Sequence, residues 1–195
     1  MTLEPEPNIT ATMAEIRQTF GRVAVTHKTH EKDAERKARQ ALMLTWANLI
    51  VITVTLGATL VGFITHGTLA QIIAIASAVV AFGFGCIQLS FQPQKEASDH
   101  RSSAKALLNI RDEYCSLIAA QKDGTITTGE LLQTKAVLSA RLAEMFANAP
   151  QTSSRAYKKA EEVLGKREGL TFTAAEIDRM LPAELRGTPE PPGQP

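Results

Sequence analysis

QALMLTWANLIVITVTLGATLVGFITHGTLAQIIAIASAVVAFGFGCIQLSFQPQ, residues 40 to 94, holds no Asp, Glu, Lys or Arg. The chain has 195 residues, with 21 Lys and Arg against 20 Asp and Glu, so all 41 charges fall in the other 140 positions. That is 29% of those positions, a charge-rich pair of flanks around an apolar insert. A hydrocarbon core about 30 Å thick takes about 20 apolar helical residues at about 1.5 Å each, so this stretch has room for two spans and a turn. We expect a transmembrane helical hairpin: a first span over 42–64, an external loop over 65–68 and a second span over 69–91. The loop reads Thr65-His66-Gly67-Thr68, and Gly67 is expected to supply the positive φ that so tight a reversal demands. Nothing else in the chain is apolar enough to bury two such helices on all sides, which argues against a soluble core and against a one-domain soluble enzyme.

Basic residues set the orientation. Arg22, Lys28, Lys32, Arg36, Lys37 and Arg39 precede the first span, Lys95, Arg101, Lys105 and Arg111 follow the second, and the loop has none. The positive-inside rule then places both termini in the cytoplasm and His66 outside. No apolar run precedes residue 41, so no cleaved signal peptide is expected. Cys86 lies in the second span and Cys115 beyond it, which gives no disulfide framework and fits a reducing compartment.

Each span carries a seam of small and polar residues. In the first, Thr45, Asn48, Ile52, Thr55, Thr59, Gly62 and His66 follow at spacings of 3, 4, 3, 4, 3 and 4. In the second, Gln71, Ala74, Ala78, Ala81, Gly85, Gln88 and Gln92 repeat the pattern, blurred by Ala70, Ala76, Ser77 and Gly83 off the seam. A membrane helix gains nothing by turning Thr, Asn or Gln toward lipid, so these faces meet another helix or water. Two readings stay open. The seams pack against each other, with Thr hydroxyls bonded back to helix carbonyls; or Thr45, Asn48, Ile52, Thr55, Thr59 and Gly62 line a water-filled pathway. Two helices cannot enclose a pore, so the second reading requires a homo-oligomer of four or more subunits. Its lumen would lack a charge ring and select poorly among ions. His66 in the external loop is either a modulator of the outer mouth or a solvated turn residue.

The flanks read as helix. The layout expected is a disordered N-terminus over 1–11, a cytoplasmic helix over 12–41 leading into the membrane, a cytoplasmic helical region over 92–186 and a disordered tail over 187–195. Thr12-x-x-Glu15, Thr127-x-x-Glu130 and Thr173-x-x-Glu176 have the form of capping boxes. Pro93 should end or kink the second membrane helix. Beyond it Ala97, Ala104, Leu107, Leu108, Tyr114, Leu117 and Ile118 mark one helix face, and Lys122-Asp123-Gly124-Thr125 the turn that ends it. Leu131, Leu138, Leu142 and Phe146 mark a second face, closed by Asn148-Ala149-Pro150; Ala156, Ala160, Val163 and Leu164 mark a third, with Gly165 as a stop. The fold class expected is an all-α membrane protein with a transmembrane hairpin and an α-helical cytoplasmic bundle.

Chemical motifs are sparse. No Gly-rich phosphate loop, Cys/His metal spacing or nucleophile elbow is present, so an enzyme is not expected and no cofactor is implied. His27, His30 and Glu31 share a helix face but have no fourth ligand nearby, which argues against a metal. The flanks balance at 14 basic and 14 acidic residues after position 94, and 7 against 6 before 41, so no basic field draws nucleic acid in bulk. Arg155, Tyr157, Lys158 and Lys159 combine cations with an aromatic and are either an anionic-ligand cluster or an ordinary solvated helix face.

FQPQKEASDHRSSAKALLNIRDEYCSLIA over 91–119, with Ala97, His100, Ala104 and Leu108, and APQTSSRAYKKAEEVL over 149–164 complete a layout that resembles the SLATT domain family. That family comprises two-transmembrane effectors of bacterial conflict systems, and the resemblance covers residues 12 to 165. It implies a pore-forming or membrane-disrupting effector of the bacterial inner membrane, encoded beside a nucleotidyltransferase or another nucleotide-signal component, that depolarises the host on phage infection. A nucleotide or oligonucleotide made by that partner would activate it or hold it off. No pore or ligand residues carry over from the family, so the candidate sites rest on the seams and the 155–159 cluster. The expectation is an oligomeric channel in the lipid bilayer; the alternative is a non-conducting anchor or scaffold whose cytoplasmic helices recruit a partner.

Overall fold

The computed structural model describes residues 9–164 and 171–187. Among them are six α-helices, one 3₁₀ turn and no strand: α1 (Thr10–Thr65), α2 (Thr68–Ser90), α3 (Pro93–Lys122), α4 (Thr128–Asn148), α5 (Ser154–Leu164), α6 (Ala174–Met180) and the 3₁₀ turn Ala183–Leu185. The chain divides into two compact units, Ala34–Asp99 and the residues on either side, up to Asp33 and from His100 on.

The unit Ala34–Asp99 holds the charge-free stretch. With no water in hydrocarbon to satisfy amides and carbonyls, an unbroken helix is the only lone-strand solution, and α1 continues to Thr65 without a kinking proline. Both α1 and the helix after it are long and apolar enough to cross a membrane. Only 6% of the most apolar window of the first and none of the second is buried, the opposite of a soluble core. Leu56, Phe63, Leu69, Phe82 and Leu89 are each at least 70% exposed, a surface that hydrocarbon must cover.

The reversal is tighter than the sequence suggests, because only His66 and Gly67 lie between α1 and α2. Here the expectation for Gly67 is corrected. Gly67 has φ −77° and ψ 119°, while His66 takes the left-handed conformation at φ 52°. His66 is the first residue past α1, where a left-handed residue lets the chain turn away, and Gly67 is the extended residue that starts α2. What Gly67 supplies is room: a Cβ there would lie 3.1 Å from Thr65 Oγ1. At the other end α2 stops at Ser90, Phe91 N–H donates to Ile87 O at 2.8 Å, and α3 opens on Pro93, a first-turn position where proline's missing N–H costs nothing.

The other unit packs the start of α1, most of α3 and α4 to α6 around one core. Ile16, Phe20 and Val23 of α1 meet Leu107, Ile110, Tyr114 and Leu117 of α3, Leu131, Leu138 and Leu142 of α4, and Phe172, Ile177 and Leu181 near the C-terminus. Each such side chain contributes about 2 kcal/mol by leaving water. Gly21 permits a close approach, since a Cβ there would sit 3.1 Å from the Phe172 ring. Gln18 acts as a strand would, donating to Phe172 O at 2.5 Å and accepting from Phe172 N–H at 2.9 Å.

The capping boxes at Thr127/Glu130 and Thr173/Glu176 form in full. Gly124, at φ 65°, makes the turn after α3. The Thr12/Glu15 box does not open α1: the helix starts at Thr10, with Met13 N–H already on Ile9 O at 2.9 Å, because Ile9 and Met13 pack on the core and draw the first turn back. Two apolar positions are also corrected. Val163 is 55% and Phe146 39% exposed, each on the flank of its helix rather than the packed stripe. The expected disorder over 1–11 and 187–195 is corrected at its inner edges, since α1 already includes Thr10 and Ala11 and Gly187 N–H donates to Asp178 Oδ1 at 3.2 Å; the rest of both ends, and the expected stop at Gly165, lie outside the described residues.

A left-handed histidine costs about 1 kcal/mol that glycine does not. His66→Gly should therefore stabilise the hairpin in mixed micelles by up to about 1 kcal/mol, read as a raised unfolding midpoint, whereas Gly67→Ala should be neutral or slightly destabilising.

Candidate functional site

The polar seams sit on the helix pair α1 and α2, and the structure divides the first seam in two. Asn48 and Thr55 are half-buried and Gly62 is buried against α2, together with Val51 and Ala58. Thr45, Ile52 and Thr59 stand exposed along the adjacent edge. On α2 the contact face is Ala70, Ala74, Ser77 and Ala81, so two residues off the second seam, Ala70 and Ser77, lie in the contact while Gln71 and Ala78 are exposed. A Cβ on Gly62 would lie 3.5 Å from that of Ala70 and 3.4 Å from Gln71 Cγ, which measures how close the helices run.

Hydroxyls satisfy one another and the backbone. Thr55 donates to Ser77 Oγ at 2.8 Å, and Ser77 donates to Ile73 O at 2.8 Å. Thr45, Thr53, Thr59 and Thr65 each donate to the carbonyl four residues earlier at 2.7 to 2.9 Å. Asn48 is the exception: its Oδ1 is buried without a hydrogen-bond partner. Beside the Thr55–Ser77 contact a cavity of about 550 Å³ opens toward the loop, walled by Thr59 and Phe63 on α1, by His66 in the loop and by Gln71, Ile75 and Ala78 on α2.

A second polar site, which the seams do not reveal, lies in the unit flanking the hairpin. His30 and His100 are 2% and 4% exposed, and their Nδ1 atoms are 3.1 Å apart. One ring must donate and the other accept, so the pair shares a single hydrogen between the two Nδ1 atoms. Burial and the neighbouring His100 lower the His30 pKa from 6.5 to about 4; Asp33 opposes this, and His27 adds to it. Three residues on, Asp33 is fully buried and accepts from Ser153 N–H and from Ser153 Oγ–H, both at 2.7 Å. Ser153 Oγ in turn accepts from Ala156 N–H at 3.2 Å, so Asp33 fastens the start of α5. His27 and Glu31 turn elsewhere, His27 Nδ1 to Ala104 O at 2.9 Å and Glu31 to Lys28 at 2.6 Å, a bond that holds the Glu31 carboxyl below its ordinary pKa. Among the described residues no three His, Cys, Asp or Glu side chains are placed to hold a metal.

On α5, Ala156 and Ala160 are buried, and Arg155, Lys158 and Lys159 stand exposed at i, i+3 and i+4, on one face. Tyr157 is 40% exposed on an adjoining flank. Cys115 is half-buried, and burial pushes its thiol above the ordinary pKa, the reverse of what a nucleophilic cysteine needs.

The family model described as SMODS and SLOG-associating 2TM effector domain family 4 matches residues 13–176, which is 164 of the 195. No curated protein and no solved structure matches the chain.

Because the His30 pKa is lower in the folded chain than in an unfolded one, the unfolded state takes up the extra proton between pH 6.5 and about 4. Stability present above pH 6.5 should therefore fall on acidification, by at most about 1.4 kcal/mol per pH unit for one proton. His30→Gln should flatten that profile in a pH series of thermal melts. Independently, Asp33→Asn should cost about 2 kcal/mol near neutral pH, because Ser153 loses the charged acceptor for two donors.

Proposed function

The chain belongs to the SMODS and SLOG-associating two-transmembrane effector domain family, and from that premise we propose that it permeabilises the bacterial inner membrane as the effector of an anti-phage abortive-infection system. It is a membrane effector of the kind that works with nucleotide-signalling defence systems. In our reading it assembles as a homo-oligomer of four or more subunits with both termini cytoplasmic. A nucleotide or oligonucleotide from a partner nucleotidyltransferase controls it, and Arg155, Lys158 and Lys159, with Tyr157 beside them, are where such an anion would be held.

The observation that carries this reading is the outward edge of the first seam. Thr45, Ile52 and Thr59 stand exposed, so the hairpin leaves two hydroxyl-bearing positions of its seam open to its surroundings, where a purely lipid-facing helix gains nothing from them. Lined by that edge, with Asn48, Thr55 and Gly62 packed behind it, the pathway carries no charge ring and leaks rather than discriminates. A specific observation favours a second reading, a non-conducting anchor that recruits a partner: the hydroxyls of Thr45, Thr59 and Thr65 return to helix carbonyls, that of Thr55 is spent on Ser77, and half the seam is used in hairpin packing.

Bilayer conductance of the detergent-purified full chain, with its mass measured in parallel, separates the two. Discrete conductance from an oligomer is expected, and Thr59→Phe and Thr45→Phe should each cut it at least tenfold at unchanged mass. Unchanged flux in both variants sinks the lining; silence across candidate nucleotides and membrane potentials, from a monomer or dimer, favours the anchor.

A further inference from the structure

The cavity between α1 and α2 has the dimensions and the chemistry of a lipid chain. It runs from His66 down to Thr55, 11 residues, or about 16 Å along the helix, which is half of a hydrocarbon core about 30 Å thick and so the depth of one leaflet. Its volume is about 550 Å³. A water takes about 30 Å³, so the slot is far larger than one small molecule needs and is long and narrow enough for part of an acyl chain.

Polarity is graded along the slot. At the deep end the floor is Ala74 and Ala58, and the hydroxyls of Thr55 and Thr59 are bonded to Ser77 and to Thr55 O. At the loop end stand the His66 ring and the Gln71 side-chain amide, neither of which makes a side-chain hydrogen bond to any described residue. An apolar trough ending in two free hydrogen-bonding groups at headgroup depth is complementary to an amphiphile. We propose that one phospholipid seats an acyl chain in this slot, with its ester and phosphate oxygens accepting from Gln71 Nε2–H and the His66 ring N–H. The inference rests on the membrane placement of the hairpin, and its test does not depend on conduction. Thr59 walls the slot and belongs to the proposed conducting edge, so a seated chain and an ion path exclude each other in the loop-side half.

The test is native mass spectrometry of the full chain extracted into mild detergent from vesicles of phosphatidylethanolamine and phosphatidylglycerol. One retained phospholipid per chain is expected. Ala74→Phe, which fills the floor, should lower that occupancy at least tenfold, and Gln71→Leu, which removes a headgroup donor and adds nothing to the slot, several-fold. Val80→Phe, exposed and outside the lining, should leave it unchanged. If Ala74→Phe does not fold, Gln71→Leu alone decides. A wild-type chain that keeps no lipid, or equal retention in wild type and Gln71→Leu, overturns the proposal. Loss of oligomer mass in Ala74→Phe with no lipid on the wild type overturns it in favour of a second copy in the slot. Conductance enters none of these readouts, so failure of the channel reading and failure of this one are told apart.

Discussion

In hydrocarbon an unpaired amide or carbonyl has nothing to bond to, and leaving one bare costs several kcal/mol. Fifty-five residues without a charge place that constraint on this chain, and the local structure of the hairpin follows from it. The backbone closes on itself as α1 and α2. The threonines return their protons to the preceding turn. Only a two-residue loop interrupts the ladder, and it does so at the end of the spans, where water or headgroups can take over. Close contact then falls to the residues with the least side chain, Gly62, Ala70 and Ala74, since lipid gives two helices no hydrophobic reason to associate.

Outside the charge-free stretch the same accounting runs on side chains. Asp33 is a fully buried carboxylate, tolerable because two donors of Ser153 converge on it. His30 and His100 are tolerable because burial keeps His30 neutral down to about pH 4 and each ring partners the other. Both groups join stretches 70 and 120 residues apart in sequence, His30 to His100 and Asp33 to Ser153, and so fix which turns of α3 and α5 meet α1. Apolar packing alone would fix that register less strictly, since one leucine can replace another at small cost.

The spans were legible in the sequence because a charge-free run two span lengths long suits a pair of membrane helices and little else, and Pro93 and the boxes at Thr127 and Thr173 were legible because their chemistry is local. Thr12 misled because the start of a helix is also set by what its first turn packs on, here Ile9 and Met13. His66 and Gly67 exchanged roles because spacing cannot tell which of two loop residues follows the last helical one. The seam was half right for a geometric reason: a strict heptad through Asn48, Thr55 and Gly62 passes one residue to the side of Val51 and Ala58, and beside threonines those apolar contacts leave no mark. The histidine pair was missed because its partners lie on different helices. The signal available was His100 on the same stripe as Ala97 and Ala104, a polar residue at a core position.

Asn48 carries a consequence of its own. An acceptor buried without a donor forfeits about 1 to 3 kcal/mol. A donor brought to that oxygen, from a water, a turned side chain or a neighbouring subunit, recovers that contribution, equivalent to about 5- to 150-fold in an equilibrium constant. The hairpin packing thus carries a local cost at a single atom, one that supplying a donor there would remove without moving a helix.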